Sequence, residues 1–299
     1  MISLRFRPTG LLFLLACALL PAGCDIVQAP YLDPEYIAQL PADEQCLLDA
    51  GSEDPFSGKS IAKKVLLEEM TGHKCGNCPA ATEVAYDLAY NQFPDRVVLM
   101  GIHAGPLASF TPTASKFFSN YTTEAGNQLY GTLNTIGAVP FALFDRTHSS
   151  TSPNDWLAFA EDRLAEAPGA GIHLHTCFYP DSNDVGVVVR VRYLQEGAAD
   201  DRLSVFLVED HIVDWQKDYR LSGSPDIPDY THHNILRAAL NGAWGEPLSS
   251  SAIASGSDFT KTYRYRIPAA FNTANCRIIA LVHNFSTREV RQVEIAPVQ

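Results

Sequence analysis

The chain has 299 residues, 46% of them hydrophobic and 19% charged, which excludes a disordered chain, a coiled coil and a collagen-like repeat. Its formal net charge of −12 argues against nucleic acid as a partner. The single long apolar run, Leu11 to Leu20, excludes a protein that crosses the membrane several times through helices.

That run follows Arg5 and Arg7 and precedes Pro21-Ala22-Gly23-Cys24. A basic start, a short apolar stretch and small residues make a secretory signal over residues 1–23. A cysteine directly after small residues matches a bacterial lipoprotein cleavage site, which places lipidation at Cys24. Leu14-Leu15-Ala16-Cys17 is the alternative, but cleavage there leaves Leu19 and Leu20 on the mature chain. The expected location is therefore the bacterial envelope, facing the periplasm or the surface and held through an N-terminal lipid anchor. Cysteines in that oxidising setting are read as disulfide chemistry.

Residues 24–58 are rich in Pro, Asp, Glu and Gly and read as a tether with an irregular lead-in. Residues 59–168 show an α/β pattern. Val65-Leu66-Leu67 is a buried strand, Ala81, Val84, Ala85 and Leu88 share a helix face, and Val97 to Ile102 is a second buried strand. Strand, helix and parallel strand form the unit of an α/β sheet. Residues 105–135 predict one or two helices and a loop. Val139-Pro140 leads a further strand, and Ser152-Pro153-Asn154-Asp155 is a helix start.

After Pro168-Gly169 the period changes to two. Ile172, Leu174, Thr176 and Phe178 alternate with His173, His175, Cys177 and Tyr179. Similar segments follow at Val187 to Tyr193, Leu203 to Val208, Phe259 to Ile267, Arg277 to His283 and Val290 to Ile295. Short strands separated by turn residues predict an all-β, immunoglobulin-like sandwich over residues 169–299.

Cys75-Gly76-Asn77-Cys78 lies where a strand passes into a helix. Two cysteines at this spacing can close a disulfide across the first helical turn, and the free N–H groups of a helix start stabilise a thiolate. Cys75 is the expected attacking thiol and Cys78 the resolving one, with His73 and Lys74 adding cationic character. Zinc sites use the same spacing but need a second pair, which is absent. Pro140 follows in the order that thioredoxin-like folds give to the cis-proline facing the cysteine pair, where it would dock a substrate backbone. Lys74 and Asn77 depart from the usual thioredoxin Trp-Cys-Gly-Pro-Cys. The pair thus reads either as a structural disulfide or as an active redox couple.

Glu68-x-x-Thr71-Gly72-x-x-Cys75-x-x-Cys78-Pro79 resembles the opening of the Omp28-related outer-membrane lipoproteins of Bacteroidetes. Val208-Glu209-Asp210, Gln216 and His233 to Gly242 fit the same family. The resemblance implies a lipid-anchored envelope protein with a thioredoxin-like domain and a β-sandwich domain. It leaves two functions open: thiol–disulfide exchange, or a non-enzymatic surface adhesin or scaffold in an outer-membrane complex. The expected partners on either reading are envelope or surface proteins.

His173, His175 and Cys177 share one strand face and could bind copper or zinc, but three collinear strand residues rarely close around one ion. His232 and His233 would point to opposite faces. His233, Asn234, Arg237, Glu209 and Asp210 read as a structural hydrogen-bond cluster. No metal and no cofactor is expected. Of the remaining thiols, Cys177 with Cys276 is the preferred bridge, since both fall on strands of one half, leaving Cys46 free or intermolecular.

Overall fold

The computed structural model describes residues 38–299. The signal segment, Cys17 and Cys24 and the first part of the tether lie outside the described residues.

Within the lead-in expected to be irregular, Ala42–Asp49 forms a helix, α1. Only Ala42 and Cys46 are buried on it, one turn apart and so on one face. Two small residues give no apolar period to read. The helix is held by what it lies against, described below.

The α/β part follows the sequence pattern. Strand β1 (Val65–Thr71) leads through a turn into α2 (Cys78–Asp87), which continues through a wider turn to Gln92. Strand β2 (Val97–His103) then runs parallel to β1, from Val65 beside Val97 to Thr71 beside His103. Every residue of both strands is buried, as strands covered on both faces must be. Alternation splits them between two layers: Leu66 and Met70 face one core, while Val65 and Leu67 face another built with Ala81 and Ala85 of α2.

Helix α3 (Glu124–Leu133) is capped by Thr123, whose hydroxyl accepts from the Gly126 amide at 2.9 Å. Strand β3 (Phe141–Phe144) pairs antiparallel with β1, and β4 (His148–Ser150) pairs with β3. The helix expected from Ser152 opens with a tight turn over Pro153–Asp155 before α4 (Trp156–Leu164), and the Ser152 side chain caps nothing.

The second half is built from strands, with a single helical turn at Thr273–Asn275. In order come β5 (Ala170–Tyr179), β6 (Asp184–Tyr193), β7 (Asp201–Glu209), β8 (Ile212–Lys217), β9 (Asp226–His232), β10 (Ile235–Ala239), β11 (Glu246–Pro247), β12 (Asp258–Arg266), β13 (Cys276–Asn284) and β14 (Val290–Pro297). The change of period at Gly169 marks the start of β5, yet one hydrogen-bonded sheet passes through both halves. Its order is β14-β13-β7-β10-β2-β1-β3-β4, with β11 added beside β7. The junction is β10, which runs parallel to β2 where the Gly101 amide donates to the Asn234 carbonyl at 2.9 Å. A smaller sheet, β12-β6-β5, lies face to face with the β7 and β13 region, so that Val187, Val189 and Val191 meet Val205, Leu207 and Ile278 in one core. The molecule is thus mixed α/β with most of its ordered backbone in sheets.

The expected Cys177–Cys276 bridge does not form. Cys177 is bonded to Cys46, with Cα atoms 5.5 Å apart, and among the described residues Cys276 is a buried free thiol. Strand parity is the reason. Ile172, Leu174 and Phe178 of β5 enter the core between the sheets, so Cys177 points out the other side with His173 and His175. Cys276 belongs to the core itself, in step with Ile278 and Ala280. Helix α1 covers the outer face: a Cβ built on Gly186 would stand 2.3 Å from the Ala42 carbonyl oxygen, so only glycine admits the helix this close.

Candidate functional site

The Cys75 amide donates to the Gly72 carbonyl at 2.8 Å, making the turn that follows β1, and the Cys78 amide donates to the Cys75 carbonyl at 3.2 Å. Cys78 is the first residue of α2 and Pro79 follows it, where a missing N–H costs nothing. The two sulfurs are bonded, with Cα atoms 5.3 Å apart. The Val139-Pro140 peptide is cis. Cys75 Sγ lies 3.7 Å from the Val139 carbonyl oxygen, so the segment leading into β3 is brought against the cysteine pair.

A groove of about 580 Å³ opens here between Gly76, Asn77, Pro140, Ile136 and Tyr219. Ile136 and Tyr219 are 61% and 63% exposed, which is unusual for apolar side chains on one rim.

The cysteines themselves are covered, Cys75 to 2% exposure and Cys78 to 1%. The cover is the β8–β9 ribbon, which the alternation pattern did not reveal. The Lys217 amide donates to the His73 carbonyl and the Tyr219 amide to the Gly76 carbonyl, each at 2.8 Å. The buried Gln216 side chain donates to the Cys75 carbonyl at 3.0 Å and lies 3.4 Å from the Gly72 carbonyl. At the ribbon's tip Arg220 grips both oxygens of Glu83 on α2 at 2.7 Å and pairs with Asp218.

His73 brings no positive charge. It is buried, its Nε2 meets the Ser109 carbonyl at 2.8 Å, and burial pushes its pKa below the ordinary value. Its ring packs among Phe117, Tyr121 and His103. Lys74 reaches the Ser109 hydroxyl at 3.3 Å. His103 and His232, further into the same cluster, are also held neutral by burial, His232 with its pKa lowered to about 4.

Glu69 was missed in the sequence. It sits on β1 in step with Val65 and Leu67, facing α2, and it is 2% exposed. Its Oε1 accepts from the Thr82 hydroxyl at 2.7 Å, and Thr82 lies one turn beyond Cys78 on α2. Burial raises its pKa from 4.5 to about 7, with the Thr82 bond opposing the rise. The available signal was an acid inside an otherwise apolar buried strand, on the helix-facing parity. Its neighbour Glu68 faces the other layer and is taken up by Arg146, whose guanidinium meets both oxygens at 2.7 and 2.8 Å.

Residues 127–299 match the family of outer membrane protein Omp28. The chain belongs to the Omp28 family. The match includes Val139-Pro140, Gln216 and Tyr219, and it puts the chain in the bacterial outer membrane. Among the described residues no helix is long and apolar enough to cross a membrane.

Of solved structures, HBP35 of Porphyromonas gingivalis is 17% identical, with 80% of this chain covering 76% of that one at a TM-score of 0.59. A domain of the outer membrane lipoprotein Omp28 from Porphyromonas gingivalis is 22% identical, covering 45% of this chain and 91% of that one, with a TM-score of 0.29. The likeness to HBP35 concerns the fold alone. No curated protein matches.

Proposed function

We propose that this Omp28-family protein is a lipid-anchored envelope component whose Cys75–Cys78 couple exchanges disulfides with exported polypeptides. The observation that carries the reading is the approach of Cys75 Sγ to the carbonyl that precedes cis-Pro140. Strand, Cys-x-x-Cys, helix and a proline-led strand form the arrangement of a thioredoxin-like domain. The face-to-face sheets of the second half suit an immunoglobulin-like sandwich. Cys24, or else Cys17, would carry the lipid.

In the oxidised state a client thiolate attacks Cys75 Sγ, the Cys75–Cys78 bond breaks, and Cys78 leaves as a thiolate. Glu69 is buried with its pKa raised to about 7 and accepts from Thr82, one turn beyond Cys78 on α2, and on this reading it is the acid that supplies the proton Cys78 takes up. A second client thiolate then attacks the client sulfur of the mixed disulfide, and Cys75 leaves. The client gains a disulfide, and the chain keeps two thiols and two electrons. The groove beside Pro140 would receive the client backbone, with Ile136 and Tyr219 offering apolar contact.

A second reading has its own support. Both cysteines are almost fully covered by the β8–β9 ribbon, which favours a permanent staple in a binding or adhesive scaffold. A redox titration with differential alkylation separates the two. A Cys75–Cys78 couple between about −120 and −270 mV, the span of known exchangers, supports exchange, and one below about −300 mV supports the staple. Replacement Cys78→Ser should trap mixed disulfides on Cys75 in whole envelopes if exchange occurs, and none if the bond is a staple.

A further inference from the structure

The two links that bound the β8–β9 ribbon meet at one point. Asp210-His211 joins β7 to β8, His233-Asn234 joins β9 to β10, and Ile235 pairs with Glu209. Asp210 is 1% exposed. Its Oδ1 accepts from the His211 and Asn234 amides at 2.8 and 3.3 Å and meets His233 Nδ1 at 2.9 Å. Its Oδ2 is buried and, among the described residues, has no hydrogen-bond partner. His211 Nδ1 stands 3.1 Å from that oxygen and Arg277 Nη2 3.8 Å, neither in hydrogen-bonding geometry. A carboxylate oxygen is rarely left in this condition, because its lost hydration is not replaced.

We infer that Asp210, His211 and His233 form a binding site for a divalent transition-metal ion of the zinc class. Each residue offers one ligand atom, and the three lie within 4.8 Å of one another. Ligands about 2.0–2.1 Å from zinc in a tetrahedral array stand about 3.3 Å apart, a separation these three side chains reach by small adjustments of their torsions. Two imidazoles and one carboxylate suit zinc and its neighbours, whereas calcium and magnesium want an all-oxygen set. Oδ2 is the free ligand atom, while Oδ1 keeps its backbone donors and so fixes the carboxylate, as supporting bonds do in metal centres. His233 is held by packing against Tyr86, ring centres 4.4 Å apart. The His211 side chain is 57% exposed, which leaves an open side for water or a further ligand. Arg277 is the competing cation, and it has an alternative partner in the Tyr90 hydroxyl, 3.4 Å from Nη1.

The site is distinct from the cysteine pair and does not depend on redox activity. It clasps the base of the ribbon whose tip covers Cys75. The test is calorimetric titration of zinc chloride into the full chain, freed of any affinity tag and stripped of metal, alongside His211→Ala and His233→Ala. Because His211 is exposed, its replacement leaves the fold intact, which circular dichroism verifies. The expected result is one equivalent bound at micromolar affinity or better, weakened at least tenfold in each variant. Cobalt in place of zinc should give a visible absorption band that His211→Ala abolishes. No saturable zinc binding would overturn the assignment. So would affinity unchanged in both variants, which would put the ion elsewhere, for example at His173 and His175.

Discussion

Tyr219 lies flat on Gly76. Its amide donates to the Gly76 carbonyl at 2.8 Å, and a Cβ added at Gly76 would stand 2.4 Å from the tyrosine ring. A residue from the second half of the chain thus closes over the middle of Cys75-Gly76-Asn77-Cys78, and it can do so because that position has no side chain. The same residue lines the groove at Pro140.

Removing the ring should therefore expose the disulfide. We expect Tyr219→Ala to speed reduction of Cys75–Cys78 by a water-soluble phosphine at least tenfold, read by alkylation and mass spectrometry. Cys46–Cys177, on the far face of the other sheet, serves as the internal reference. Equal rates in parent and variant would show that Tyr219 is not the barrier.

Glu69 should make stability depend on pH. Its folded pKa of about 7 lies above the ordinary 4.5, so the folded state holds the proton more tightly than the unfolded chain does. The group adds no penalty below about pH 4.5, and the penalty grows as pH rises through 7, reaching about 3 kcal/mol. Urea unfolding at pH 5 and pH 8 should show this loss in the parent and not in Glu69→Gln, the difference between the two cancelling the buried histidines. A parent and variant that respond alike would place the Glu69 proton elsewhere.

The Cys46–Cys177 bond closes a span of 131 residues. Cross-links of this length stabilise by about 2–5 kcal/mol, mainly by restricting the unfolded chain. We expect Cys46→Ser to lower the unfolding free energy by that amount and to release α1 from β6, seen as faster amide exchange over Ala42–Asp49. A change below about 1 kcal/mol would mean that α1 docks without its clip.

The pair Glu68–Arg146 has both side chains wholly buried. Arg146→Ala would leave an unpaired carboxylate inside the core, and we expect a loss of about 3–5 kcal/mol in urea unfolding. The double replacement Glu68→Leu, Arg146→Met should recover most of it, since the cost lies in the orphaned charge. Failure of the double variant to recover would point to packing of Arg146 on Trp244 instead.

The sequence alone determined what is local. Period and parity marked β1, α2, β2 and the alternating strands from Ala170 onward, because a buried strand or helix face repeats at a fixed interval. The spacing of Cys75 and Cys78 and their place at a strand-to-helix passage were legible for the same reason. Parity also held the clue that Cys177 faces away from the core, though not what would meet it there. Helix α1 has two small buried residues and no period, so its contact with Gly186 could not be read. Tertiary structure alone decided that Cys46 is the partner of Cys177, that β10 joins β2, and that Gln216 and Tyr219 cover Cys75. These pairings span from 131 to 144 positions, and no one-dimensional pattern carries them. They are chosen by which faces remain to be buried once the sheets have formed.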